Sequence, residues 1–259
     1  MIAPINVQRL TTLLSADVEW GPVVHLPQVG STNTEAASRG QVWSPVLTEH
    51  QTAGRGRLGR AWQDTPAASL AMSVLVPTVP TLGWLPLAAG LAVRSALSGE
   101  GVDALLKWPN DVLLPGDEGR KVCGILCQSG PKGVVVGIGI NVAHERGELP
   151  VETATSLRLV GADVDRTDLA AAVLNHLAGS HRAMATSGTA LEEVRAAYAQ
   201  ACDTVGRRVV VHHPDGTREE VDATGIDVDG HLCITGDAGS ATVAAGDVQH
   251  IRLPGAPSH

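Results

Sequence analysis

The chain has 259 residues, 44% hydrophobic but only 2% aromatic and without Phe, so Leu, Val, Ile and Ala must build its core. That length suits one large domain, or a large one with a small one. Its net charge of −8 counts against DNA or RNA as the main partner. No window holds the roughly 18 uninterrupted apolar residues of a membrane span, and Met1 to Leu14 lacks the basic and apolar regions of a secretory signal. The four cysteines (Cys123, Cys127, Cys202, Cys233) offer no second pair at metal-ligand spacing and fit free thiols in a cytoplasmic protein.

Residues 1–20 carry one apolar helical pattern (Ile5, Leu10, Leu13, Leu14, Val18), too short for a helix-turn-helix module. Val23 to Leu26 reads as a strand. Thr32 to Glu35 then fits a capping box, which crowds Ser31, Thr32 and Asn33 at a helix mouth beside free backbone N–H groups. Capping alone accounts for these residues as well as a ligand does. Ser44 to Thr48 is a short predicted strand. Next comes the one dense basic cluster, Gly54-Arg-Gly-Arg-Leu-Gly-Arg60, ending at Trp62. Glycines let backbone N–H groups approach an anion, and arginine forks suit phosphate and carboxylate oxygens. The segment reads as a loop between core strands that clamps a phosphorylated ligand, or as a solvated basic loop. Trp62 is either a core anchor or a lid that stacks on a planar ligand.

Residues 69–77 form a predicted strand, and Trp84 to Leu97 a helix. Lys107-Trp-Pro-Asn-Asp111 crosses a strand–turn junction, where Asn110 and Asp111 are also ordinary turn residues. Arg120 to Cys127 is another strand, in which Gly124 permits close backbone approach. Gly133 to Asn141 is a buried strand whose interior glycines, Gly137 and Gly139, imply a ligand or another backbone against it. Its lone Gly-x-Gly opens no helix, which excludes a Rossmann dinucleotide site. Thr167 to Ala185, capped by Thr167, and Leu191 to Ala201, with Tyr198 on its apolar face, are predicted helices. From Gly206 short alternating runs between turn signals predict a small β-barrel of about 50 residues. His212, His213, His231 and His250 fall there as surface or turn residues.

Gly30-Ser-Thr-Asn33, the segment Glu49 to Trp62, Lys107-Trp-Pro-Asn-Asp111, Arg120-Lys-Val-Cys-Gly-Ile-Leu126 and Gly137-Ile-Gly-Ile-Asn141 occur in that order. Together they closely resemble the biotin protein ligase (biotin–[acetyl-CoA-carboxylase] ligase) family over residues 25–253. The resemblance implies an α+β fold: a mixed β-sheet flanked by helices, class II aminoacyl-tRNA synthetase-like as in biotin and lipoate ligases, with an SH3-like β-barrel after it. The implied division is a catalytic domain over 1–204, a barrel over 205–253 and a tail over 254–259. The implied reaction activates biotin with ATP and Mg2+ to biotinyl-5′-AMP. The biotinyl group then passes to a lysine of a biotin carboxyl carrier domain of acyl-CoA or pyruvate carboxylases. The chain resembles the kind without an N-terminal DNA-binding domain, acting as a monomer or homodimer with neither nucleic acid nor membrane as partner.

By the same resemblance, Ser31, Thr32, Asn33 and Gln51 hold the ureido end of biotin. Gly54, Arg55, Gly56, Arg57, Lys121 and Gly124 complete its pocket. Arg55, Arg57, Arg60, Trp62, Lys107, Asn110, Asp111 and Asn141 line the nucleotide side. Lys121 and Arg57 are the implied catalytic residues and Asp111 the implied metal ligand. Residues 54–62 are expected to order when ligand binds. Three positions depart from the pattern: Gln128, where many relatives carry an acidic residue, and Cys123 and Cys127, in place of small or apolar residues. Two other readings are a lipoate/octanoate-protein ligase, whose substrates lack a ureido ring, and a non-catalytic biotin-responsive regulator.

Overall fold

The computed structural model describes residues 2–63, 65–186, 188–213, 216–244 and 247–250. In chain order the elements are α1 (Val7–Leu13), β1 (Val24–Leu26), α2 (Thr32–Arg39), β2 (Val46–Thr48), β3 (Gly54–Arg55), β4 (Ala61–Trp62) and β5 (Ser69–Val76). There follow α3 (Trp84–Gly99), β6 (Leu105–Lys107), β7 (Asp111–Leu114), β8 (Arg120–Gly130), β9 (Gly133–Asn141), α4 (Arg166–Thr186) and α5 (Thr189–Ala201). The last are β10 (Arg208–His212), β11 (Arg218–Ile226), β12 (Leu232–Gly236), β13 (Gly239–Val243) and β14 (Asp247–His250). A seven-stranded sheet has the order β1-β2-β5-β9-β8-β7-β6. Only β1–β2 is parallel, so the sheet is mixed, as expected.

The pleat sorts the central strands by face. Leu70, Met72, Val74 and Val76 of β5 and Val134, Val136, Ile138 and Ile140 of β9 enter the main core, with Leu85, Ala89 and Val93 of α3 and Leu169, Val173 and Leu177 of α4. The opposite face carries small and polar residues, Ser73, Gly137, Gly139 and Asn141, and α2 covers one end of it through Ala36, packed with Val46, Leu75 and Val135. Beyond that end, from Ser73 and Gly137 to Asn141, the central strands carry no large side chain on this face.

Two helix starts differ from the sequence reading. Ser31, rather than Thr32, is the N-cap of α2, with no side-chain cap bond, and Glu35 pairs with Arg39 instead of reaching back. Helix α4 begins at Arg166. Asp165 Oδ1 accepts the N–H groups of Thr167 (2.7 Å) and Asp168 (3.1 Å), doing the capping expected of Thr167. The N-terminal pattern forms a helix only over Val7–Leu13.

The C-terminal strands form a five-stranded antiparallel sheet, order β13-β12-β11-β10-β14. Among the described residues β13 and β14 do not pair, so the expected barrel is an open sheet here. Its β11–β12 turn docks on two tryptophans of the larger sheet's layer. Trp84 Nε1 donates to Asp227 O (3.2 Å) and Val228 O (3.0 Å), and Trp108 Nε1 to Gly230 O (3.0 Å). Trp108 N donates to Thr204 Oγ1 (3.0 Å), which also meets His250 Nε2 at 3.1 Å. His250 is therefore a joint between the two sheets rather than a surface residue. No helix among the described residues is long and apolar enough to cross a membrane.

Candidate active site

The floor of the site is the small-residue face of β9 and β8. A Cβ on Gly137 would stand 1.9 Å from Asn33 Oδ1. One on Gly139 would stand 2.7 Å from the Trp62 ring, and one on Gly124 3.0 Å from both that ring and Lys121 Nζ. Side chains, not a second backbone, thus lie against the interior glycines. Asn33 and Trp62 rest on positions two residues apart along one face, so about 7 Å of strand separates them.

At one end Ser31, Thr32 and Asn33 are all buried. Thr32 N donates to Gln51 Oε1 (2.9 Å), and the Thr32 hydroxyl lies 3.1 Å from the same oxygen. Asn33 Nδ2 donates to Leu126 O (3.2 Å) and Gln128 Oε1 (2.7 Å). Ser73 Oγ on β5 meets Thr32 Oγ1 at 2.7 Å and Asn33 Oδ1 at 2.6 Å. Ser31 holds the N-cap position without a side-chain capping bond, and Thr32 is not the cap, so side-chain capping does not account for this polar cluster. Gln128, the departure from the family pattern, is part of it.

At the other end stand cations. The β3–β4 hairpin carries the arginine-rich segment, pairing Gly54 with Trp62 and Arg55 with Ala61. Gly56 N donates to Arg60 O (2.8 Å), and Leu58 (φ 55°) and Gly59 (φ 74°) make the left-handed turn between. Arg57 Nη1 reaches Asn110 Oδ1 (3.2 Å), and Asn110 Nδ2 donates to Ile125 O (2.8 Å), so the hairpin leans on the Lys107–Asp111 turn. Arg55 and Arg60 are exposed above it. Lys121 Nζ pairs with Asp111 Oδ1 at 2.6 Å and lies 5.9 Å from the centre of the Trp62 ring. Lys107 faces Asp111 across the β6–β7 ladder.

A β-bulge puts Lys121 there. Val112 pairs with Cys123 but Leu113 with Lys121, so Val122 is the extra residue. Val122 and Cys123 both enter the core, the alternation slips by one, and Lys121 joins Gly124 on the small-residue face. The thiol of Cys127 is pushed up to about 12 by burial, against the pull of Arg57, and stays protonated.

Trp62 lies over Gly124 and Gly139 as a lid rather than within the core. Its Nε1–H is buried and meets no acceptor among the described residues. A buried donor left unpaired costs about 1–3 kcal/mol, a debt that a ligand oxygen would relieve.

The segment 153–157 braces this end from outside. Lys121 N donates to Thr153 O (2.8 Å), Thr155 N to Lys121 O (2.8 Å), and Leu157 N to Asn141 O (3.0 Å). Asn141 Nδ2 donates to Thr155 O (2.9 Å), which turns this side chain to the brace. Asp117 locks the brace by accepting from Thr155 Oγ1 (2.5 Å), Arg120 (2.7 Å) and Arg146 (2.7 Å). Burial alone would raise its pKa, but the bonds from Thr155 and Arg146 and the charges of Arg120 and Arg146 hold it below the usual carboxylate value. Glu49 anchors the start of the arginine segment in the same manner, accepting from Ile5 N (3.0 Å) and pairing with Arg166 (2.7 Å).

The sequence reading missed Ser73 and the brace. A serine inside an apolar strand was the available signal for Ser73, while nothing local marks Thr155.

The chain is similar to known proteins in sequence and fold. Residues 25–144 match the model of the Biotin/lipoate A/B protein ligase family. The biotin–[acetyl-CoA-carboxylase] ligase of Mycobacterium tuberculosis is 36% identical over 253 residues, 93% of each chain. That of Paracoccus denitrificans is 33% identical over 86% of this chain and 98% of its own. Among solved structures, the Aquifex aeolicus biotin protein ligase in complex with biotin and ATP aligns at TM-score 0.76 and 26% identity, over 89% of this chain and 99% of that one. With this fold, this order of segments and full-length relatives of that kind, the chain belongs to the biotin protein ligase family.

Proposed function

We propose that the protein activates biotin with ATP to biotinyl-5′-AMP and passes the biotinyl group to a lysine of a biotin carboxyl carrier domain. The observation that carries this reading is the pair of clusters on one glycine floor: buried hydrogen-bonding groups at Thr32–Asn33–Gln51, and cations with an indole at Arg57–Lys121–Trp62. The first suits a urea ring and the second a carboxylate meeting a phosphate.

Two anions must meet in the first step, so charge has to be offset where it accumulates. Lys121 and Arg57 do this at the carboxylate and α-phosphate oxygens, and the hairpin's N–H groups add donors. A carboxylate oxygen attacks the α-phosphorus and pyrophosphate leaves. In the second step a lysine amine attacks the acyl carbon and AMP leaves, with Lys121 again holding the departing charge. Trp62, its ring resting on the β9 floor, stacks its other face against the adenylate and shields the mixed anhydride from water. Asn110 and Lys107 face the nucleotide, and Asn141 sets the floor at its end. Asp111 offers one hard oxygen, which suits the few protein ligands that Mg2+ accepts beside water and phosphate. Bound there, the ion neutralises polyphosphate charge.

The catalytic unit is residues 1–204, with the C-terminal unit, 205–253, bracing it through Trp84 and Trp108. The acceptor is a carrier domain of an acyl-CoA or pyruvate carboxylase, the compartment is the cytoplasm, and the protein is a monomer or homodimer. The test is ATP–pyrophosphate exchange: biotin should drive it while octanoate and lipoate do not. Exchange driven by octanoate or lipoate alone would assign the chain to lipoate-type ligation.

A further inference from the structure

Ser73 is 1% exposed at the middle of β5. Packing does not require a hydroxyl there, since Ala71 on the same face of the strand is equally buried without one. Its contacts can be resolved by counting protons. The backbone N–H of Thr32 can only donate, so the Gln51 atom 2.9 Å away is the amide oxygen. Leu126 O can only accept, so Asn33 turns its Nδ2 there and its Oδ1 to Ser73. Three close contacts then share the two hydroxyl protons of Ser73 and Thr32: Ser73 with Thr32, Ser73 with Asn33, and Thr32 with Gln51. In every placement that satisfies two of these three contacts, the Thr32 proton stays on Ser73 or Gln51. The Thr32 oxygen therefore meets a ligand as an acceptor only.

We propose that Ser73 is a specificity-determining positioning residue: it fixes Thr32 and Asn33 so that Thr32 Oγ1 presents lone pairs, selecting a ring that offers an N–H. This rests on the biotin reading, since the ureido ring supplies such a group and an alkyl chain does not. Ser73 acts through its neighbours and does not touch the reacting atoms. Removing its hydroxyl strips the Asn33 oxygen of its proton donor and leaves Thr32 held by the longer Gln51 contact.

The experiment compares wild type, Ser73→Ala and Ser73→Cys for the Kd of biotin, the Kd of the two N-methylated biotins, and the KM of ATP. Ser73→Ala is expected to weaken biotin about tenfold, the worth of one buried hydrogen bond. The KM of ATP should hold, and the penalty for methylating a ureido nitrogen should shrink. Biotin affinity within about twofold of wild type would overturn the proposal, as would an unchanged methylation penalty or equal losses for biotin and ATP. Ser73→Cys, somewhat larger and with only a weak S–H donor, should show the same direction of change and carries the comparison if the alanine variant does not fold. A wild type that binds no biotin would refute the ligase reading itself, a result separate from any difference among variants.

Discussion

Replacing Gly139 with alanine should disable nucleotide chemistry while leaving the fold standing. The added Cβ would sit 2.7 Å from two carbons of the Trp62 ring and 3.2 Å from its Nε1. Ordinary carbon contacts are about 3.5–4.0 Å, so the ring must retreat by roughly 1 Å. The backbone of Gly139 lies in β9 with no positive φ, so the strand accepts alanine readily. What yields is the two-stranded β3–β4 hairpin, which carries Arg57 with Trp62. A misplacement of about 1 Å at a reacting centre can cost on the order of a hundredfold in rate. Biotin-dependent ATP–pyrophosphate exchange should fall by about that factor, with biotin affinity and Tm close to wild type. Because both changes act through one ring, Gly139→Ala added to Trp62→Ala should cost little more than Trp62→Ala alone. Wild-type exchange in Gly139→Ala would refute the reasoning, and so would full additivity of the pair.

Gly137→Ala should act at the other end: its Cβ would stand 1.9 Å from Asn33 Oδ1, so biotin affinity should drop while the KM of ATP holds, as titration and kinetics will show. Asp117 has a depressed pKa, so its contribution to stability is present above its unfolded value of about 3.8 and is lost as pH falls through its lower folded value. The Tm advantage of wild type over Asp117→Asn should therefore be full at about pH 6 and shrink as the pH is taken below about 3.8, as scanning calorimetry will show. Gly230 has φ 86°, and a Cβ there would stand 2.7 Å from Gly83 C and 3.0 Å from Trp84 N. Gly230→Ala should destabilise by more than about 1 kcal/mol, lowering Tm by roughly 2–4 °C or more.

The segments proposed to carry the chemistry were legible because each has a local cause. Alternation and interior glycines marked β9, turn residues marked the Lys107–Asp111 junction, and the glycine–arginine segment stood out in an acidic chain. Long-range causes were not legible. The face on which Lys121 lies depends on the bulge at Val122, which is set by pairing with Val112 and Leu113 and not by residues 120–126 themselves. The brace joins Thr155 to Asp117, 38 residues away, and Ser73 reaches Thr32 across 41. Glu35 suited a capping box, but its ion pair with Arg39 took precedence. The alternating runs after Gly206 do form short strands, whereas closure of the expected barrel depends on pairing between β13 and β14, which turn signals do not encode.

The most direct test is transfer of labelled biotin to a purified biotin carboxyl carrier domain with ATP and Mg2+, comparing wild type with Lys121→Ala and Arg57→Ala. Wild type should label one carrier lysine, and both variants should lose most of the rate while keeping the wild-type circular dichroism spectrum. No labelling by folded wild type, or undiminished labelling by Lys121→Ala, would contradict the account.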